Sequence, residues 1–532
     1  MAVEVPAAAQ VPGTHRPEAS RRTILLMFVG LMSAMLLASL NTTVMSTALP
    51  TIVGELHGTN LMSWVITAYI LASTIVMPVY GKLGDQFGRK PLLLIAISIF
   101  TVASIIGALA PNMLTLIIAR ALQGAGAGGL MVLSQASIAD VVPARDRGRY
   151  AGIMGGVFAV ASVAGPLLGG WLTEGPGWRW TLWVNLPLGV LALVAVAACL
   201  HPPKIARSKP TIDILGMAVL ALATSGIVLI ASWGGSTYAW TSPTIIGLVL
   251  GTILAWVLAV VVESRAAEPI LPLQLFRKRN FNLTTTAGLI AGIGMFGAIS
   301  YMPTYLQMAL GISSTNAGLL MVPMMGTMVA SSVASGRFVS RSGRYKALPI
   351  AGSLMISLSL FLMSQITLST PTWMICVCLG ILGGGLGASI QIMILTVQNT
   401  FPYNLVGTAT AANNYFRQIG ASLGAALVGS IFASRLADLL VGRIPADATA
   451  AGDGAKSLTP AAVHHLPESV QEPIVNAYNE ALMPVFLFVS PLSIVGAILL
   501  CFVIEKPLAT TVTDDAPVTS TADQSGIVRQ PS

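Results

Sequence analysis

Charge is what this sequence has least of. Only 9% of its 532 residues are Asp, Glu, Lys or Arg, while 55% are hydrophobic and the mean hydropathy is +0.80. A soluble domain carries roughly a quarter of its residues as charges, so a water-exposed globular surface is excluded. Histidine and cysteine are scarce as well, at five and four residues. Cys199, Cys376, Cys378 and Cys501 all lie in apolar runs, without the neighbouring Cys and His that a metal site needs, so neither a metal nor a cofactor is expected. His464 and His465 read as polar surface. The formal net charge of +8 is spread over many short loops and forms no single basic patch, so nucleic acid is not an expected partner.

What is present is a series of long uncharged runs. Ile24 to Leu49, Pro91 to Ala110, Thr181 to Leu200 and Leu482 to Ile504 contain no charged side chain, and each can span about 30 Å of hydrocarbon at 1.5 Å per residue. Apolar windows bounded by charge, Pro or Gly predict fourteen transmembrane helices, near 24–49, 61–81, 91–110, 113–134, 148–172, 179–200, 214–233, 243–263, 282–305, 315–336, 347–366, 371–395, 405–434 and 482–504. The fold class is therefore an all-α integral membrane protein. Arg21 and Arg22 precede the first run as in a signal peptide, but the run is too long to be a cleaved segment. Residues 1–20 and 507–532 are rich in Ala, Pro, Ser, Thr and Asp and should be disordered tails.

Orientation follows from the basic residues, because Lys and Arg in short loops stay cytoplasmic. With the N-terminus inside, all but six of the 28 fall on the cytoplasmic side. The six are Arg120, Arg179, Arg417, Arg435, Arg443 and Lys456, the last three in one long outer segment at about 435–480. A multi-pass protein of a bacterial inner membrane is expected, both termini cytoplasmic. The stretch Gly81-Lys-Leu-Gly-Asp-Gln-Phe-Gly-Arg-Lys90 returns loosely as Gly336-Arg-Phe-Val-Ser-Arg-Ser-Gly-Arg-Tyr-Lys346. The echo pairs helix 2 with helix 10. It leaves helices 7 and 8, with their linker at 201–270, as an insertion between two six-helix bundles at 21–200 and 271–506, the repeat logic of secondary transporters.

Physically, the glycines of Gly81 to Lys90 allow a tight turn, Asp85 can sit on the positive N-terminal end of a neighbouring helix, and Arg89 and Lys90 can hold that carboxylate and anchor at headgroups. Together Gly81, Asp85, Gly88, Arg89 and Lys90 would latch the two halves on the cytoplasmic side. Ser340 takes the place of the acid in the second copy, so that loop should latch weakly. Arg120, about eight residues inside helix 4, is costly in hydrocarbon unless it faces a polar cavity or partner. Counting from the helix ends puts Asn41 of helix 1 at similar depth, so the two are expected to share a polar pocket. Arg417 is expected near mid-membrane in helix 13. In helix 5, Gly165 and Pro166, with Gly169 and Gly170, suit a kinked helix that rolls against a neighbour.

These segments carry a family resemblance. Gly81 to Lys90 resembles the GxLxDxxGRK signature of the major facilitator superfamily at every defining position. Arg120 to Gly128, with Gln123, resembles its RxxQGxG motif, and Ala161 to Gly170 is similar to the GxxxGPxxGG antiporter motif, with Ala161 at a usual Gly. Trp178 to Gly189 and Arg417 to Gly424 resemble fourteen-span drug exporters of that superfamily. Leu40 to Pro50 is similar to the family's LDxTIVNVALP pattern, with Asn41 where an aspartate is usual. The resemblance implies a drug and proton antiporter, not an enzyme: a monomeric multidrug efflux transporter moving small amphipathic substrates across the lipid bilayer in exchange for protons. Asn41, Arg120, Gln123 and Arg417 would line its pathway. The residues themselves offer no titratable group at mid-membrane, since all 20 acids and five histidines fall in loops, tails or helix ends. Two cations without a deep acid lead to a neutral or anionic substrate, its apolar body met by methionines such as Met321, Met324 and Met325. Export of an endogenous lipid, siderophore or secondary metabolite fits equally. A transport-inactive receptor or scaffold using the outer segment 435–480 is the alternative from another class.

Overall fold

The computed structural model describes residues 21–57, 61–200, 213–235, 237–440, 463 and 467–508. The tail at 1–20, nearly all of 507–532, the first part of the linker (201–212), and Arg443, Lys456, His464 and His465 lie outside the described residues. The helices are α1 (Arg21–Glu55), α2 (Met62–Phe87), α3 (Arg89–Ala108), α4 (Met113–Val141), α5 (Ala144–Glu174), α6 (Trp180–Trp183 and then Asn185–Cys199), α7 (Ile214–Trp233) and α8 (Pro243–Arg265). They continue as α9 (Arg279–Leu310), α10 (Ser314–Leu319 and then Val322–Ser342), α11 (Ala347–Met363), α12 (Thr372–Gln398), α13 (Val406–Leu440) and α14 (Glu468–Cys501).

Twelve spans among the described residues are long and apolar enough to cross a membrane, fewer than the fourteen expected. Of the two other positions, α11 is short at 17 residues, and α5 opens with Arg145, Asp146, Arg147 and Arg149. The apolar faces point outward as well as inward: Leu250, Leu254 and Val257 of α8 are each more than half exposed, a surface that only lipid would cover. The outer segment expected at 435–480 is helical at both ends. Helix α13 runs on to Leu440 and α14 begins at Glu468, because charge marks where a helix leaves hydrocarbon and not where its backbone hydrogen bonds stop.

The packing has an internal symmetry. Contacts of α1 with α5 and α6, of α2 with α4, and of α3 with α4 and α6 recur with eight added to each number: α9 with α13 and α14, α10 with α12, α11 with α12 and α14. The seam between the halves obeys the same rule, α5 meeting α10 and α12 as α13 meets α2 and α4. Helices α7 and α8 pack on each other, and α7 lies over the seam against α2 and α13, where Thr224 Oγ1 and Tyr415 Oη are 2.6 Å apart.

Close approach explains the seam glycines. A Cβ on Gly81 would fall 2.2 Å from Ala411 Cβ, and one on Gly336 would fall 2.0 Å from the Gly148 carbonyl oxygen. Neither contact tolerates a side chain. On α5 the glycines divide between two neighbours: Gly148 and Gly152 face α10, while Gly165 and Gly169 face Thr43 and Thr47 of α1.

Candidate functional site

At the end of the bundle that carries Gly81 to Lys90, Asp85 reaches from α2 across the seam to the first turn of α13. Its Oδ1 accepts from the Gly407 backbone N–H at 3.0 Å, and its Oδ2 accepts from the Thr408 N–H at 2.7 Å and from Thr408 Oγ1 at 2.8 Å. Unsatisfied N–H groups and the positive end of the helix dipole make a helix start an anion site. Arg89, one turn on, holds the same carboxylate through Nη2 at 3.1 Å and also pairs with Asp140 and donates to the Ala136 carbonyl. Tyr403 Oη donates to Asp140 at 2.8 Å, with the Arg89 guanidinium 5.5 Å from its ring centroid. One arginine thus joins an acid of α2 to an acid of α4, and both acids touch the other half at or just before the start of α13.

Lys90 does not join this cluster. Its Nζ donates to the Ala197 carbonyl in the last turn of α6, 2.7 Å away, since a cation suits a helix C-terminus and that end lies within reach. Lys82 pairs with Glu268 at 2.6 Å, tying the segment after α8 to α2 and holding the Glu268 carboxyl below the usual carboxylate range. Gly88, at φ 90°, turns the chain between α2 and α3. The second copy has a different contact. Ser340 Oγ has no hydrogen-bond partner among the described residues, and Arg145 at the start of α5 donates to the carbonyls of Ser340 and Arg341, each 3.2 Å away. The polarity is reversed: an acid meets a helix start in the first copy, a base meets a helix end in the second.

The polar group within the α1 to α6 half is compact. Arg120 of α4 donates to Asn41 Oδ1 of α1, to Gln123 Oε1 at 2.8 Å and, through Nε, to the Val65 carbonyl at 3.2 Å. Its guanidinium lies 4.3 Å from the centroid of the Tyr69 ring, and Gln123 Nε2 passes the chain on to Ser104 Oγ at 2.6 Å. Arg120 and Asn41 are each 1% exposed, so the group is buried. Arg417 stands apart from it, on α13. Its Nη2 donates to Asn414 Oδ1 at 2.9 Å, Asn414 Nδ2 donates across the seam to Gln135 Oε1 at 2.6 Å, and Gln398 of α12 reaches the Gln135 carbonyl at 3.4 Å and Thr410 Oγ1 at 3.2 Å. A small cavity beside this bridge is lined by Gln135, Arg147, Gln391 and Gln398 among others.

The helix 5 glycines are not equivalent. Added Cβ atoms on Gly165 and Gly169 would come within 1.8 Å and 2.0 Å of the Thr43 and Thr47 hydroxyls, whereas Gly170 faces open space and Thr43 Oγ1 donates to the Ala161 carbonyl at 3.0 Å. Pro166 lies within the same helix. Sequence reasoning missed Asp140 and Tyr403 as partners of Arg89, the Gln135–Asn414 bridge, and the glycine face of α5 toward α10. The Asn413–Asn414 pair in an otherwise apolar helix was the available signal for the bridge.

The comparisons agree in kind. A family model described as Major Facilitator Superfamily matches residues 31–425. An MFS-type transporter of Mycobacterium tuberculosis strain H37Rv is 42% identical over 501 residues, covering 93% of this chain and 71% of the relative. The multidrug transporter protein MdtP of Bacillus subtilis is 35% identical over 426 residues, covering 80% of this chain and 78% of the relative. Among solved structures, the human organic anion transporter MFSD10 aligns with a TM-score of 0.59 at 16% identity, covering 91% of this chain and all of that one. The proton:xylose symporter XylE aligns at 0.60 and 15% identity, covering 92% and 98%. These two likenesses are of fold.

Proposed function

From the premise that this chain belongs to the major facilitator superfamily, we propose that it exports amphipathic drugs or metabolites across the bacterial inner membrane by alternating access, powered by the proton-motive force. The observation that carries the mechanism is the Asp85 contact with the start of α13. A seam held by a few charge-assisted hydrogen bonds and glycine-mediated backbone contacts can part at that end and re-form, which alternating access requires. The relative named as a multidrug transporter, MdtP of Bacillus subtilis, supports this reading.

In this reading the Asp85 end is cytoplasmic, both termini lie inside, the helices cross fourteen times, and the protein acts as a monomer without enzymatic activity. The halves are 21–200 and 271–506, with 201–270 carrying the inserted pair. Asp85, Arg89, Gly81 and Gly88 form the latch. Asn41, Arg120 and Gln123 brace α1, α2 and α4, with Gly165 and Gly169 as the surface on which α5 rolls over α1. Arg179, the one basic residue in a short outer loop, is neutralised there by Glu55. Because Asn41 fills the position of the family's helix 1 aspartate, a proton cannot be carried there.

The test is accumulation of a fluorescent amphiphile in everted membrane vesicles, with the pH gradient and the electrical potential dissipated separately. Energised uptake is the expected result. Vesicles that gain nothing over controls lacking the protein would sink export.

A further inference from the structure

We infer that Arg417 is the recognition residue for an anionic head group, so that the substrates of this exporter are amphipathic carboxylates; the inference rests on the export reading and names its substrate class. The two deep cations differ in what they already hold. Arg120 is enclosed by the Val65 carbonyl, Asn41, Gln123 and the face of Tyr69. Its site is full. Arg417, 9% exposed, has one side-chain hydrogen bond, to Asn414, and its Nε has no hydrogen-bond partner among the described residues. No carboxylate among the described residues lies within ion-pair distance of it.

Position turns this imbalance into a site. Arg417 is eleven residues beyond Val406, or about 16 Å along α13, which is deep in a hydrocarbon layer of about 30 Å. Residues three apart share a helix face, so Arg417 stands on the face from which Asn414 bonds to Gln135 of the opposite half. That face is the seam. When the halves part at the Asp85 end, the Asn414–Gln135 bond opens and frees the Gln135 amide beside an uncompensated guanidinium, while Asn414 keeps its bond to the Thr410 carbonyl. A planar carboxylate can take both edges of such a fork, and Gln391 and Arg147 at the adjoining cavity add an amide donor and a second cation. A cation in the same place would meet Arg417 with nothing to offset it. Outward movement of an anion also runs with an interior-negative potential, so this substrate class needs no proton-binding acid where Asn41 stands.

Two xanthene dyes of similar body and opposite charge, 5-carboxyfluorescein and rhodamine 123, test this in proteoliposomes of zwitterionic lipid alone, which removes anionic headgroups as competitors. Wild-type protein should transport carboxyfluorescein in preference. Arg417→Gln should raise its KM about tenfold, with protein level and thermal unfolding unchanged, and Arg417→Lys should recover part of the loss. Rhodamine transport without carboxyfluorescein transport overturns the anion assignment and leaves export standing, as does carboxyfluorescein transport indifferent to Arg417→Gln. Transport of neither dye under an imposed potential overturns both readings.

Discussion

Asp85 makes hydrogen bonds to two backbone N–H groups, one hydroxyl and one guanidinium, and only a carboxylate accepts from all four at once. Asp85→Asn keeps the shape and loses the charge, which on the usual scale for hydrogen bonds to charged groups removes about 1.5–3 kcal/mol from the closed seam. Transport should fall by about tenfold or more while membrane insertion is unchanged. Wild-type rates at equal expression would show that the contact is dispensable. Glu268 offers a gentler case, because Lys82 lowers its carboxyl yet the side chain is 44% exposed and its pair is screened by solvent. A lowered pKa adds stability that is present above the ordinary Glu value and is lost as pH falls through the folded value. The melting difference between wild type and Glu268→Gln should therefore be small at neutral pH and vanish in acid. A difference that grew on acidification would reverse the assignment.

Helix α5 uses glycine twice, once toward α10 and once toward α1, and the two uses have separate consequences. Gly165→Ala drives a Cβ into the side chain of Thr43, which already bonds the Ala161 carbonyl, so α5 must move off α1. Overpacking of this kind costs typically 1–3 kcal/mol. Gly170→Ala, facing open space, should leave transport and melting temperature near wild type. Equal behaviour of the two variants in a paired transport and melting assay would refute the proposed α1–α5 surface. Helix α13 combines its roles in sequence order: Gly407 and Thr408 receive Asp85, Asn414 bridges to Gln135, and Arg417 follows one turn later. Tyr415, on another face, meets Thr224 of α7. The inserted pair therefore leans on one of the helices that form the seam.

Across the whole molecule, the halves meet through two related pairs, α2 with α13 and α10 with α5, and both close at the same end. A covalent tie across one pair should stop the cycle. A Cβ on Gly148 would lie 3.2 Å from Val339 Cβ, slightly closer than the 3.5–4.5 Å of a relaxed disulfide. The Gly148→Cys, Val339→Cys pair should cross-link under oxidation, halt transport, and regain it on reduction. Full activity of the cross-linked protein would exclude separation of the halves at that end.

Much of this was determined by the sequence alone, for physical reasons that can be named. Hydrocarbon demands uncharged helical stretches of set length, so the all-α membrane class and the approximate helix positions follow from composition. The echo of Gly81–Lys90 at Gly336–Lys346 exposed the eight-helix repeat, and counting residues from helix ends brought Asn41 and Arg120 to one depth. Partner choice was beyond it. Lys90 turning to Ala197, Arg145 substituting for the missing acid of the second loop, and Gly170 standing idle beside Gly165 and Gly169 all depend on which helix end or face lies within a few ångströms. Depth along a helix is additive in residue number, whereas azimuth and neighbour are set by how the helices pack together. Only the tertiary structure could therefore distinguish Arg120, held by three hydrogen bonds inside one half, from Arg417, which reaches the seam with one side-chain bond made and its Nε unmet among the described residues.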